Sequence, residues 1–320
     1  MRTFLIFVCA AILCSISASG PFLRSLRRSL TPANGTISHF VHKKERSKHP
    51  YEKRERIAYL VQGPQASAQV WKARIDAIGE SATLLYHSFD KNCEICIFEK
   101  GTSFSFGRNL LLSHALTLPH RPKYYVFVDE DIQLDCNLPG ALQTSNILDT
   151  QQLCWNYFTQ ELLNPITTNI LISPKNWNDI KRPDEEFNYQ VCIDDAFIAY
   201  RSDMAHLLFP IPTYRENENW WHKSHVAWAV IDSCFPFAHA SDNRFRIKNT
   251  QHRAYPKAAY DVLVIKDVLE TEFKGVINID SYNFTRTSKN RCLVSPQRVD
   301  VLDRDCEAKL KNRFMNYYYN

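Results

Sequence analysis

Residues 123–134 read KYYVFVDEDIQL, a run of aromatic and β-branched residues that ends on three carboxylates, Asp129, Glu130 and Asp131. Acids at this spacing suit a hard divalent cation. Mg²⁺ and Mn²⁺ take oxygen ligands in octahedral geometry, usually one or two carboxylates together with substrate phosphates. A second acidic pair, Asp194-Asp195, lies in CIDDAFIAY near the start of another apolar run, and Asp232 closes HVAWAVID. Acids of this kind take the proton from an attacking hydroxyl. His252, in NTQHRAYPK, follows a polar strand-like stretch. Gly107-Arg108-Asn109 opens a helical pattern, where backbone N–H groups and a guanidinium can approach a phosphate or a base. Trp220-Trp221 offers a platform on which a sugar could stack. Each feature has a bland counterpart. Acids favour solvated turns and helix starts, an Arg on an amphipathic helix faces water, and a Trp pair on a helix is core.

The elements that must position these residues begin at Ile57. RIAYLVQG is a short apolar run closed by Gly63-Pro64, as a buried strand requires. Ser67 is placed to cap SAQVWKARIDAIG, in which Trp71, Ile75 and Ile78 recur at helical spacing and Gly79 supplies the stop. ATLLYHSFD and CEICIFEKG read as strands, SFGRNLLLSHALTL as a helix and YYVFV as the next strand. Such alternation predicts an α/β domain with a largely parallel sheet, whose ligands bind beyond the carboxyl ends of the strands. Asp129 to Asp131 occupy such an end. The second half is less regular: NILIS (169–173) and QVCIDDAFIAYR (190–201) read as strands, 218–235 as a helix and RFRIKNTQH (244–252) as a strand. With no internal repeat and no linker after residue 56, residues 57–320 read as one domain.

Composition and cysteine usage bear on compartment. The 320 residues are 45% hydrophobic, enough for a substantial core and incompatible with disorder throughout. Residues 1–20, MRTFLIFVCAAILCSISASG, have the pattern of a secretory signal peptide. Membrane attachment through residues 3–18 as a short signal anchor is the second reading, since that stretch falls short of the roughly 20 apolar residues of a spanning helix. Arg24, Arg27 and Arg28 behind it oppose both readings, because positive charge favours a cytosolic flank. Residues 21–56 hold ten Lys or Arg against three acids, which of the chain's net +5 leaves −3 on residues 57–320 once Arg2 is counted. That tract reads as a basic, flexible stem, and with no aromatic stacking pattern interleaved nucleic-acid binding is not expected of it. Past the leader there are eight cysteines: Cys93, Cys96, Cys136, Cys154, Cys192, Cys234, Cys292 and Cys306. An even number suits pairing in an oxidising lumen, with Cys292–Cys306 the favoured local loop. Cys93-Glu-Ile-Cys96 lacks the second CxxC that a zinc site needs. Asn34-Gly-Thr36 and Asn283-Phe-Thr285 are sequons for luminal glycosylation.

The order of these features resembles the GT-A fold of nucleotide-sugar-dependent glycosyltransferases. The Asp-x-Asp motif Asp129-Glu130-Asp131 closes a Rossmann-like first half, Arg108-Asn109 stands on the preceding helix, AWAVID leads to an acid, and His252 follows. The resemblance covers residues 57–260 and implies a GT-A-like, mixed but mostly parallel sheet flanked by helices in a single domain. It implies a nucleotide-binding half over 57–135 and an acceptor half over 136–320. By the same resemblance Asp129 and Asp131, with His252, would hold Mn²⁺ or Mg²⁺, and Arg108, Asn109 and Asp129 would line the nucleotide. Asp232, or else Asp195, would serve as the catalytic base, and Trp220 and Trp221 would meet the acceptor. Asp232-Ser233 stands where a Glu-Asp pair is common in the family. The expected partners are a nucleotide-sugar donor and a glycan, protein or lipid acceptor in the Golgi or ER lumen, with secretion as the alternative. A catalytically inactive carbohydrate-binding or interaction protein and a metal-dependent hydrolase are the competing expectations.

Overall fold

A strand buried on both faces must find helices on both sides, and Ile57–Gly63 (β1), buried at all seven positions, does so. Ile57, Tyr59 and Val61 join one core with Trp71 and Trp155, while Ala58 and Leu60 join another with Leu111 and Val230. The alternation follows from side chains that point to opposite faces of a strand. The sheet is therefore the middle of three layers.

The computed structural model describes residues 56–137, 147–175, 187–190, 195–217, 221–250, 262–279, 294–295 and 302–319. After β1 come the helix Ala68–Asp76 (α1), the strands Ala82–Ser88 (β2) and Cys96–Phe98 (β3), and the helix Phe104–Leu116 (α2). Then follow Tyr124–Asp129 (β4), Ile132–Cys136 (β5), the helix Ile147–Leu163 (α3), Leu171–Lys175 (β6), Phe187–Gln190 (β7) and Phe197–Arg201 (β8). A 3-10 turn at Ser202–Leu207 leads toward the helix Trp221–Cys234 (α4), the long strand His239–Asn249 (β9), the helix Val262–Glu272 (α5), Val294–Ser295 (β10) and the helix Arg304–Tyr318 (α6). Among the described residues no helix is long and apolar enough to cross a membrane.

The strands form one sheet in the order β10-β7-β9-β6-β8-β4-β1-β2-β3, with β5 pairing β9. The pairs β4-β1, β1-β2, β2-β3 and β6-β9 are parallel; β4-β8, β6-β8, β7-β9, β5-β9 and β10-β7 are antiparallel. The sheet is thus mixed, which corrects the expectation of a mostly parallel one. Parallel neighbours need a crossover of a dozen or more residues, usually a helix. A helix links β1 to β2 and β3 to β4, whereas only seven residues link the parallel pair β2-β3, β5 follows β4 after two residues and β8 follows β7 after six.

Three local expectations are also corrected. Ser67 makes no side-chain capping bond, because it sits in a short 3-10 turn (Gln65–Ser67) ahead of α1. The stretch 190–201 is not one strand, since β8 begins at Phe197 after a turn at Asp195-Ala196. Cys306 pairs with Cys234 rather than Cys292: Asp303 N donates to Cys234 O at 2.9 Å, and this docking of the start of α6 on the end of α4 brings the two Cα atoms to 5.7 Å. Cys93–Cys96 and Cys136–Cys154 are the other disulfides of the described residues. Disulfides such as these form and persist in oxidising surroundings. Gly79, at φ +85°, ends the α1 segment as its sequence suggests.

Candidate functional site

Hydrogen bonds to its backbone brace the acidic turn. Trp71 Nε1 donates to Glu130 O at 3.0 Å, and Thr250 donates to Asp131 O from both N and Oγ1, at 3.0 and 2.8 Å. Gly63 lets the turn approach β1: a Cβ there would stand 2.4 Å from Glu130 Cβ and 2.6 Å from Tyr86 Oη. Asp129 is the last residue of β4, and its N–H donates to Ala196 O at 2.9 Å, which puts Asp195 beside it. The chain then re-enters the sheet as β5 against β9, so the three acids sit where the parallel half hands over to the mixed half.

Arg108 is neither exposed nor at a helix start. α2 opens one turn earlier, at Phe104, with Ser103 Oγ accepting from Phe106 N at 3.2 Å and Gly107 N donating to Ser103 O at 3.0 Å. The backbone N–H groups expected at 107–109 therefore belong inside the helix. The Arg108 side chain is buried and donates from Nη2 to Asp129 Oδ1 at 2.8 Å, with Cζ 4.2 Å from the Phe104 ring centre. Burial pushes the Asp129 carboxyl up to about 6, against the pull of Arg108 and Lys223. Asn109 is committed to the loop before α4, since Nδ2 donates to Ile211 O and Oδ1 accepts from Ile211 N, both at 2.8 Å.

Lys223, in the first turn of α4, completes the cluster. Its side chain is 4% exposed, its Nζ lies 3.8 Å from Glu216 Oε1 and 3.0 Å from the Phe104 ring centre, and burial brings its pKa down to about 7 against the pull of Asp195 and Glu216. Asp195, also buried, accepts a short hydrogen bond from Ser224 Oγ. Glu216 Oε1 accepts from Ser105 N at 2.6 Å, at the N-terminus of α2. Two cations and three carboxylates thus meet out of water at the carboxyl ends of β1 and β4.

Of the expected residues, the structure brings together Arg108, Asn109, Asp129, Asp131 and Asp195. Asp232 stands apart: it lies nine residues beyond Lys223 in α4, about 13 Å along the axis at 1.5 Å per residue. His252, Trp220, Asn34 and Asn283 lie outside the described residues, as does the side chain of Trp221. Among the described residues no three of His, Cys, Asp or Glu gather as a metal-holding group. Lys223 and Glu216 were missed by sequence reasoning. Lys223 shares a face with Val226 and Val230 at spacings of three and seven, and a lysine within an apolar stripe is a readable signal; Glu216, in RENEN, carries none. No protein-family model matches the chain, and no curated protein matches it.

Proposed function

We propose that this chain is a metal-dependent glycosyltransferase of the secretory pathway with a GT-A-like fold, moving a sugar from a nucleotide-sugar donor to a hydroxyl of a glycan, protein or lipid. The observation that carries the reading is the acidic turn at the carboxyl end of β4, braced through its backbone and joined by a buried Arg108 and by Asp195. In α/β sheets this end is where ligands bind.

Asp129 and Asp131 would hold Mn²⁺ or Mg²⁺. Their carboxylates are hard oxygen donors, and His252 follows Thr250, which is bonded to Asp131 O, by two residues in the sequence. The cation would offset the charge that grows on the departing diphosphate. Arg108 orients Asp129 and lends positive charge to the same region, while Asn109 steadies α2 against the 211 loop. Asp195 takes the role of base in an inverting transfer, accepting the proton of the acceptor hydroxyl, because it lies beside Asp129 and Asp232 does not. The three disulfides support placement in the Golgi or ER lumen or outside the cell.

The test is turnover of UDP- and GDP-sugars by the whole chain, read as released nucleoside diphosphate, with Mn²⁺ or with EDTA. Mn²⁺-dependent release with any one donor supports the reading. Binding of glycans without turnover of any donor would replace it with the inactive carbohydrate-binding alternative, which the engagement of Asp129 Oδ1 by Arg108 favours.

A further inference from the structure

The Glu216 carboxylate stands at the N-terminus of the 13-residue helix α2, where an anion is stabilised by free N–H groups and by the helix dipole. It accepts from Ser105 N at 2.6 Å and faces Lys223 Nζ at 3.8 Å. Yet its side chain is only 6% exposed, and its second oxygen, Oε2, is buried with no hydrogen-bond partner. Two neighbouring groups are in the same condition, Ser105 Oγ and Arg108 Nε, on residues that are 0% and 1% exposed. Buried polar groups are nearly always paired, and leaving one unpaired is costly. An acceptor without a donor and two donor groups without acceptors mark a polar site only half satisfied by a carboxylate with two oxygens.

Glu216 also comes from a loop rather than from the sheet or a helix. Its neighbour Arg215 is held at φ 56°, a region non-glycine residues avoid, and Arg215 Nη1 is tied to Asp267 Oδ2 at 2.8 Å. The loop therefore inserts the carboxylate at a conformational cost.

We infer that the N-terminus of α2, with Ser105, Arg108 and Lys223, is a phosphate subsite that Glu216 closes when no ligand is bound. The carboxylate stands in for two oxygens of a phosphate group, and a diphosphate offers further oxygens to the unsatisfied Ser105 Oγ and Arg108 Nε. On the glycosyltransferase reading, the ligand is the diphosphate of the donor. Its charge is then met by fixed cations of the chain as well as by a metal.

The experiment is calorimetric titration of inorganic pyrophosphate, in EDTA, into wild-type protein, Glu216→Ala, Glu216→Gln and the double variant Glu216→Ala/Lys223→Gln. Removing the competing carboxylate tightens pyrophosphate binding by roughly tenfold, the order expected of one charge at a partly buried helix N-terminus. The double variant loses that gain. Should the alanine variant fold poorly, Glu216→Gln keeps an oxygen for Ser105 N–H and still removes the charge, so it must show the same direction. Equal affinity across wild type and both single variants, or no binding by any, overturns the subsite. Mn²⁺-dependent turnover of a nucleotide-sugar without pyrophosphate binding in EDTA removes this inference alone, whereas pyrophosphate binding without turnover of any nucleotide-sugar removes the transferase reading and leaves the subsite.

Discussion

Asp129 is pulled two ways: burial pushes its carboxyl up to about 6, while Arg108 at 2.8 Å holds the charged form in place. Deleting one member of a buried pair leaves the other charge uncompensated, which costs about 3–5 kcal/mol. Arg108→Met is therefore expected to lower stability by that order in urea unfolding, and Asp129→Asn in the Arg108→Met background to recover part of the loss, as coupled neighbours do. The same scale separates the two candidate bases. General-base assistance is worth about 10²–10⁴-fold, so Asp195→Asn is expected to lose at least about a hundredfold in transfer, while Asp232→Asn, about two and a half turns beyond Lys223 in α4, stays within about threefold of wild type. The reverse ranking, measured as kcat at saturating donor, would move the base to Asp232. Asp129, Asp131 and Asp195 were legible in the sequence because apolar runs stop or start on them. The burial of Arg108 was not, since its neighbours Leu110, Leu111 and Leu112 read as apolar whichever way the helix turns.

Where elements meet, Gly63 decides how closely β1 and the acidic turn approach. A Cβ at 2.4 Å from Glu130 Cβ cannot be relieved by rotating a flexible side-chain end, so the turn itself must move. Gly63→Ala is expected to cost about 1–3 kcal/mol, as overpacking does, and to weaken Mn²⁺-dependent nucleotide binding beyond that loss. An unchanged binding isotherm would show that the turn does not depend on this contact. The first half of the fold was readable because the helices α1 and α2 alternate with its strands at clear helical and strand spacings. The second half was not. There strands follow short links, β9 pairs with β6 and β7 through its first residues and with β5 through its last, and hydrophobic alternation carries no record of such pairings.

On the scale of the whole molecule, pH also acts through a histidine outside the acidic cluster. Burial lowers the pKa of His206, in the 3-10 turn after β8, with Glu307 of α6 at 3.6 Å drawing it back up and Lys311 adding to the depression. As pH falls through the usual imidazole range near 6.5, the unfolded chain takes up a proton that the folded chain binds less readily, so stability falls on acidification. His206→Gln should lose less stability than wild type between pH 7 and pH 5 in urea unfolding; an equal loss would assign the acid sensitivity elsewhere.

The central claim is that the acidic turn holds a cation that binds a nucleoside diphosphate. Titration of UDP and GDP into wild-type protein and Asp131→Asn, with and without Mn²⁺, tests it most directly. Removing one of two crowded carboxylates relieves repulsion and leaves the fold intact, so the variant should keep the wild-type melting temperature without ligand. The account predicts Mn²⁺-dependent binding of at least one of the two nucleotides to the wild type and loss of the Mn²⁺-dependent part in Asp131→Asn. Mn²⁺-dependent binding of equal strength in both proteins, or no nucleotide binding by the wild type, would contradict it.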